Sequence, residues 1–117
     1  MDKKVTRILR DLSVPANIIG YEYLKTAILL CLENKSLIHQ VTKGIYSNIA
    51  QLYDTTPSKV ECAIRYAVKI SLSNTKPETL KQYIGLNENA SQKSSSMVAN
   101  SKYIAAIVEA IKLETDV

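Results

Sequence analysis

Four residues, Asp54-Thr55-Thr56-Pro57, constrain this chain more than any other segment. Thr56 has an oxygen that can accept from the free N–H groups of a helix's first turn. Pro57 suits the first helical position, where a missing N–H breaks no bond and φ is already set. One helix therefore ends before this segment and another begins at Pro57. Upstream, Ile45, Ile49 and Tyr53 are spaced four apart and predict a helix over about 42–53. Downstream, the pattern continues to about residue 73. Two helices joined by so short a turn describe a helix-turn-helix. Ala50 is small where the pair should approach most closely, and Ile49, Val60 and Ile64 supply the apolar residues that fix their angle. The turn carries Asp54 and Thr55 where glycine is more usual.

The remaining sequence supports an all-helical fold. There are three Gly and three Pro in 117 residues, too few for many strands and tight hairpins, and 46% of residues are hydrophobic, enough for a core. Val5, Ile8, Leu9 and Leu12 predict a first helix over about 3–12. Tyr21 to Glu33 is apolar on most faces and should lie centrally. Ser36 can cap a short segment reaching about Val41. Pro77 should start a short helix that ends before Gly85, a natural left-handed terminator. Residues 86–96, which include Ser91-Gln92-Lys93-Ser94-Ser95-Ser96, read as a loop. Tyr103, Ile104, Ile107, Val108 and Ile111 share one face of a last helix over about 100–114. The expectation is a single domain over 1–117, an all-α six-helix bundle of winged-helix-like type without a clear wing.

Charge and cysteine usage narrow the function. Fifteen Lys and Arg against eleven Asp and Glu give a net charge of +4, which suits a polyanionic partner. Cys31 lies in the apolar run Ala27–Leu32 and reads as a reduced core residue. Cys62 and the single histidine, His39, complete no disulfide framework or zinc site. Catalysis needs partner groups that His39 lacks, so no enzyme, cofactor or metal is expected. No apolar run approaches the ~20 residues that span a bilayer, and Met1-Asp2-Lys3-Lys4 does not open a signal peptide. The expected location is the cytoplasm, with no membrane partner.

The helix from Pro57 carries the chemistry. At about 100° per residue, Val60, Ala63, Ile64, Ala67, Val68 and Ile70 fall on one arc. Ser58, Lys59, Glu61, Cys62, Arg65, Tyr66, Lys69 and Ser73 fall on the other. Arg65 can bond O6 and N7 of a guanine with its two-pronged fork, and Glu61 can accept from cytosine N4. Lys59 and Lys69 suit phosphates, as do the N–H groups beside Thr56 and Ser58. Tyr66 can stack on a sugar or touch a thymine methyl. Cys62 is the one outer residue without a strong hydrogen bond to offer; it reads as a fortuitous small residue or, less simply, a redox-sensitive thiol. The competing reading is that this arc is merely a solvated face.

These residues resemble a known family, the C-terminal effector domain of the sporulation response regulator, stage zero sporulation protein A. Val14-Pro15-Ala16 and Gly20-Tyr21-Glu22-Tyr23-Leu24-Lys25-Thr26-Ala27-Ile28 look like its opening signature. Thr42–Ala50 and Thr55–Arg65 look like its helix-turn-helix, and Asn100–Ala105 like its final helix. The resemblance implies a six-helix bundle that binds a short GC-containing DNA box as tandem copies and contacts an RNA polymerase sigma factor. It also implies that Lys59, Glu61 and Arg65 touch bases or phosphates. The family usually has Arg where this chain has Cys62, and His where it has Tyr66. Losing an arginine removes a donor worth ~1–3 kcal/mol at a base pair, so sequence preference should be relaxed or altered. The family's phospho-receiver domain has no counterpart in these residues, which implies an excised effector or a protein controlled by other means.

The function expected is thus sequence-specific DNA binding and transcription regulation, with a dimer or tandem pair on double-stranded DNA. Two alternatives stay open. One is a degenerate effector domain acting as a protein-interaction module for a sigma factor or related regulator. The other is a non-specific DNA binder, with the salt dependence but without sequence preference.

Overall fold

The computed structural model describes residues 2–85 and 99–115, so the loop expected at 86–96 lies outside the described residues. Six α-helices are present among the described residues, and no strand. They are α1 (Asp2–Asp11), α2 (Ile19–Glu33), α3 (Ser47–Leu52), α4 (Pro57–Asn74), α5 (Pro77–Tyr83) and α6 (Asn100–Thr115). The all-α bundle is the architecture that periodicity and the shortage of turn residues predicted.

Helix ends depart from expectation where a side chain or a left-handed residue decides them. Helix α1 begins and ends one residue earlier than expected, and Ser13 closes it at φ 60°. The Ser13 and Val14 N–H groups donate to the Arg10 and Leu9 carbonyls at 2.9 and 3.0 Å, the paired bonds of a Schellman ending. Helix α2 starts at Ile19, two residues before Tyr21, because extended backbone persists only to Ile18. The next short segment is a 3-10 helix, Lys35–His39, capped by Asn34 and not by Ser36. Asn34 Oδ1 accepts from Ser36 N at 3.1 Å and from the Ser36 hydroxyl at 2.7 Å. Gly85 has φ 82° as expected of a terminator, and its N–H donates to the Leu80 carbonyl at 3.0 Å.

The helix expected over 42–53 is divided. Residues Val41–Tyr46 form a π-helical turn, in which the Gln40 carbonyl accepts from both Gly44 N (2.6 Å) and Ile45 N (3.2 Å). Regular α-helix resumes only at Ser47. A wide turn of this type inserts a residue into the ladder and rotates the helix beyond it. Here Ile45, Tyr46, Ile49 and Ala50 are all directed inward.

The core gathers Val5, Ile8, Leu9 and Leu12 from the α1 region, Leu24, Ala27 and Ile28 from α2, Ile49 from α3, Val60 and Ile64 from α4, and Tyr103, Ile104, Ile107 and Ile111 from α6. Burying each large aliphatic side chain is worth roughly 1.5–3 kcal/mol, which is why these positions dominate the stability. Cys31 is buried in the same cluster, and burial pushes its thiol above the usual range, the nearby Lys112 charge opposing this. Helix α2 is the central element and packs against α1, α4 and α6. Gly20 lies close against α4. A Cβ there would lie 2.3 Å from the Ala63 carbonyl oxygen and 3.0 Å from Ala67 Cβ, so no larger residue fits without separating the helices.

Candidate nucleic-acid interface

Helices α3 and α4 and residues 53–56 between them form the helix-turn-helix. Asp54 occupies the left-handed region at φ 53° and takes the conformation for which glycine is usual. Thr55 N then donates to the Ala50 carbonyl at 2.9 Å, closing α3. The missing glycine is replaced without loss of the turn, because Asp is among the residues that visit this region. Thr56 is extended and its Oγ1 accepts from Lys59 N at 3.2 Å, the cap foreseen for α4.

The division of α4 into two faces holds. Val60, Ile64, Ala67 and Val68 are buried, and Ala63 and Ile70 half-buried. Ser58, Lys59, Cys62, Arg65, Tyr66, Lys69 and Ser73 are exposed, as are Thr56 and Pro57. Tyr66 retains 58% of its surface. Glu61 alone among the outer residues is half-buried, at the edge of the face. The structure therefore brings Thr56, Ser58, Lys59, Glu61, Cys62, Arg65, Tyr66 and Lys69 onto one side of a single capped helix.

Arg65 is already engaged. Its Nη1 lies 3.5 Å from Glu61 Oε1, one helical turn away, and its Nη2 donates to Cys62 Sγ at 3.4 Å. Both contacts hold the guanidinium along the face. Glu61 four residues before Arg65 is a spacing that favours such a pair, so this contact was available from the sequence. Cys62 is a free, exposed thiol.

Three further residues shape the face, and pattern reasoning did not single them out for it. Gly20 sets the depth of α4 against α2. Tyr46 and Asn100 lie behind the second turn of α4, both buried. Asn100 Nδ2 donates to Tyr46 Oη at 3.0 Å and to the Glu61 carbonyl at 3.2 Å. Burial raises the Tyr46 phenol above its ordinary range; the Asn100 bond opposes this, and the charges of Glu61 and Arg65 act on it in opposite senses. Long-range partners of this kind leave no periodic trace in a sequence.

Tyr53 packs edge-on against Tyr23, ring centroids 5.1 Å apart, and its hydroxyl is 3.0 Å from Thr26 Oγ1. It is thus an interhelical residue, although 38% exposed. His39 is exposed. Among the described residues, no three His, Cys, Asp or Glu side chains are grouped to hold a metal ion. No helix of the described residues is long and apolar enough to cross a membrane.

Residues 5–111 match the family described as sporulation initiation factor Spo0A C terminal. The chain belongs to the Spo0A C-terminal family. That family is one of DNA-binding regulatory domains and not of enzymes, and it places the chain among the effector domains of sporulation. The match begins at Val5 in α1 and ends at Ile111 in α6, so every α-helix of the bundle falls within it wholly or in part.

Proposed function

We propose that this chain is a sequence-specific transcription regulator that inserts the first half of α4 into the major groove. The observation that carries the reading is the pairing of Glu61 and Arg65, side by side on the exposed face of a helix whose other face is fixed in the core. Arg65 can recognise a guanine through O6 and N7, and Glu61 can accept from cytosine N4. An exposed i,i+4 ion pair is worth ~0.3–0.5 kcal/mol, whereas a two-pronged base contact discriminates by ~1–3 kcal/mol. DNA can therefore displace Glu61 from Arg65 with a net gain.

Other residues serve register. Lys59 and Lys69 meet phosphates. Thr56 accepts from Lys59 N, which leaves its hydroxyl hydrogen for a phosphate oxygen, and Ser58 offers another. Tyr66 reaches a sugar or a thymine methyl. Cys62 supplies no strong donor, so the position it faces is read weakly. One such module rarely buries enough surface for high specificity, so the domain acts as a dimer or tandem pair on double-stranded DNA. A surface elsewhere on the bundle contacts an RNA polymerase sigma factor, as the family resemblance implies, and the protein works in the cytoplasm.

The test is fluorescence-anisotropy titration of wild type and Arg65→Ala on a GC-containing family-type box and a scrambled duplex, at two salt concentrations. A box preference that Arg65→Ala lowers about tenfold or more is expected. Equal binding to both duplexes would reduce the role to phosphate-driven association. No binding at low salt would end the DNA reading and turn attention to a protein partner.

A further inference from the structure

We infer that Asn100 is a positioning residue of the reading face: its carboxamide joins Tyr46 to the Glu61 carbonyl and so sets the rotation of the first half of α4. Its bearing on recognition rests on the DNA-reading role proposed for that face.

One Nδ2 carries two hydrogens, and two acceptors lie at 3.0 and 3.2 Å, Tyr46 Oη ahead of α3 and the Glu61 carbonyl in α4. Asn100 is in the first turn of α6, yet these two bonds run to other elements and do not cap its own helix. Asn100 is 8% exposed and Tyr46 6% exposed, so water competes poorly for these bonds. A helical carbonyl has two lone pairs, and the ladder bond to the residue four ahead uses one. For Glu61 that residue is Arg65. The Asn100 bond takes the other lone pair of the same oxygen, at the peptide that links Glu61 to Cys62.

A second contact gives this bond leverage. Tyr103, three residues after Asn100 and so on the same face of α6, has its hydroxyl 2.6 Å from Ser71 Oγ, and both side chains are fully buried. Ten residues separate Glu61 from Ser71, about 15 Å along the axis of α4. One turn of α6 thus grips α4 at two distant points. The Ser71 contact holds the end of α4 that lies in the core. The Asn100 contact holds the end that carries Glu61, Cys62 and Arg65. With the first point fixed, the second determines how the exposed half is tilted and rotated. A change of about 1 Å at that end redirects a guanidinium whose base contact tolerates little error.

The test compares wild type with Asn100→Leu, which is close in shape but donates nothing, Tyr46→Phe, which removes one of the two acceptors, and Ser71→Ala, which removes the distant grip. Binding to the box and to a scrambled duplex is titrated, and amide hydrogen exchange is followed by NMR along α4. Asn100→Leu should lower the box preference about tenfold while leaving scrambled-duplex affinity within about twofold. Tyr46→Phe should act in the same direction by about threefold, and keeps the test readable if Asn100→Leu folds poorly. Exchange should accelerate at residues 61–66 and not at 67–74. Ser71→Ala should lower Tm and change box preference by less than about twofold, because buried Ala67, Val68 and Leu72 still fix that end of α4. Wild-type preference and protection in Asn100→Leu would overturn the inference, as would a uniform loss indistinguishable from Ser71→Ala. Should wild type show no box preference, the proposed function fails by itself. The exchange pattern then still decides whether Asn100 positions α4: acceleration confined to 61–66 upholds it, and any other pattern sinks it.

Discussion

The two halves of α4 are built from the same helix but held by different means. From Ala67 to Asn74 the helix is anchored in the core. Ala67, Val68, Ser71 and Leu72 are buried, Ser71 meets Tyr103, and the Thr75 hydroxyl at its end lies 2.7 Å from the Leu12 carbonyl and 2.6 Å from that of Ser71. From Pro57 to Tyr66 the same helix shows solvent Ser58, Lys59, Cys62, Arg65 and Tyr66, and buries only Val60 and Ile64. Its position there depends on a few contacts: the Thr56 cap, Gly20 against Ala63, and Asn100 on Glu61. A helix that must both present side chains and keep its angle can do so by fixing one end with packing and the other with a small number of polar or close contacts. The reading half is therefore the half that single substitutions should disturb most.

Gly20 offers the strongest way to break that arrangement. Helix propensity alone says that Gly20→Ala should stabilise α2 by about 1 kcal/mol. Geometry says the opposite, since the new Cβ would stand 2.3 Å from a backbone oxygen of Ala63, which cannot swing aside as a side chain can. Overpacking of this type costs about 1–3 kcal/mol, and backbone contact belongs at the upper end. The expected outcome is a net loss of about 2 kcal/mol by chemical denaturation, with box preference reduced as α4 is pushed outward. A stabilised variant would show that α2 and α4 separate freely, and the contrast between the halves would lose its main support.

A smaller effect sharpens the same contrast at the start of α4. Thr56→Ala removes the acceptor from Lys59 N and should cost about 1 kcal/mol. The loss should appear as faster amide exchange over residues 57–60, with 67–74 unaltered. If exchange rises evenly along α4, the helix behaves as one unit and the division is wrong.

Much of this was legible in the sequence because it is local. Thr56 and Pro57 announce a helix start by their own chemistry, Gly85 announces an end, and the two arcs of α4 follow from its period. The errors lie where one local signal competes with another. Ser36 and Asn34 are both good caps, and Asn34 prevails because its carbonyl oxygen reaches both the N–H and the hydroxyl of Ser36. The π-helical turn at Val41–Tyr46 escaped because its bonding at Gln40 alters the ladder without altering composition. Gly20 and Asn100 were hidden for a different reason. Their meaning lies in partners 43 and 39 residues away, Ala63 and Glu61, and no window of a single helix contains both members of either pair.

Asp54 provides the finest adjustment, because the turn it occupies is where the reading half begins. At φ 53° it holds a left-handed conformation that glycine adopts without steric penalty. Against this, glycine loses more backbone entropy on folding, so the two effects nearly cancel. Asp54→Gly should therefore stabilise the protein by only about 0.5 kcal/mol. Asp54→Ala completes the comparison: like Asp54→Gly it deletes the carboxylate, but it keeps a Cβ at positive φ, and it should destabilise by about 1 kcal/mol. Opposite signs for the two variants in urea denaturation would show that backbone conformation, and not the charge of Asp54, governs the turn. Equal shifts of one sign would assign the effect to the carboxylate, standing between the end of α3 and the start of α4. The angle of the reading half would then be under electrostatic control, and it should respond to salt even without DNA.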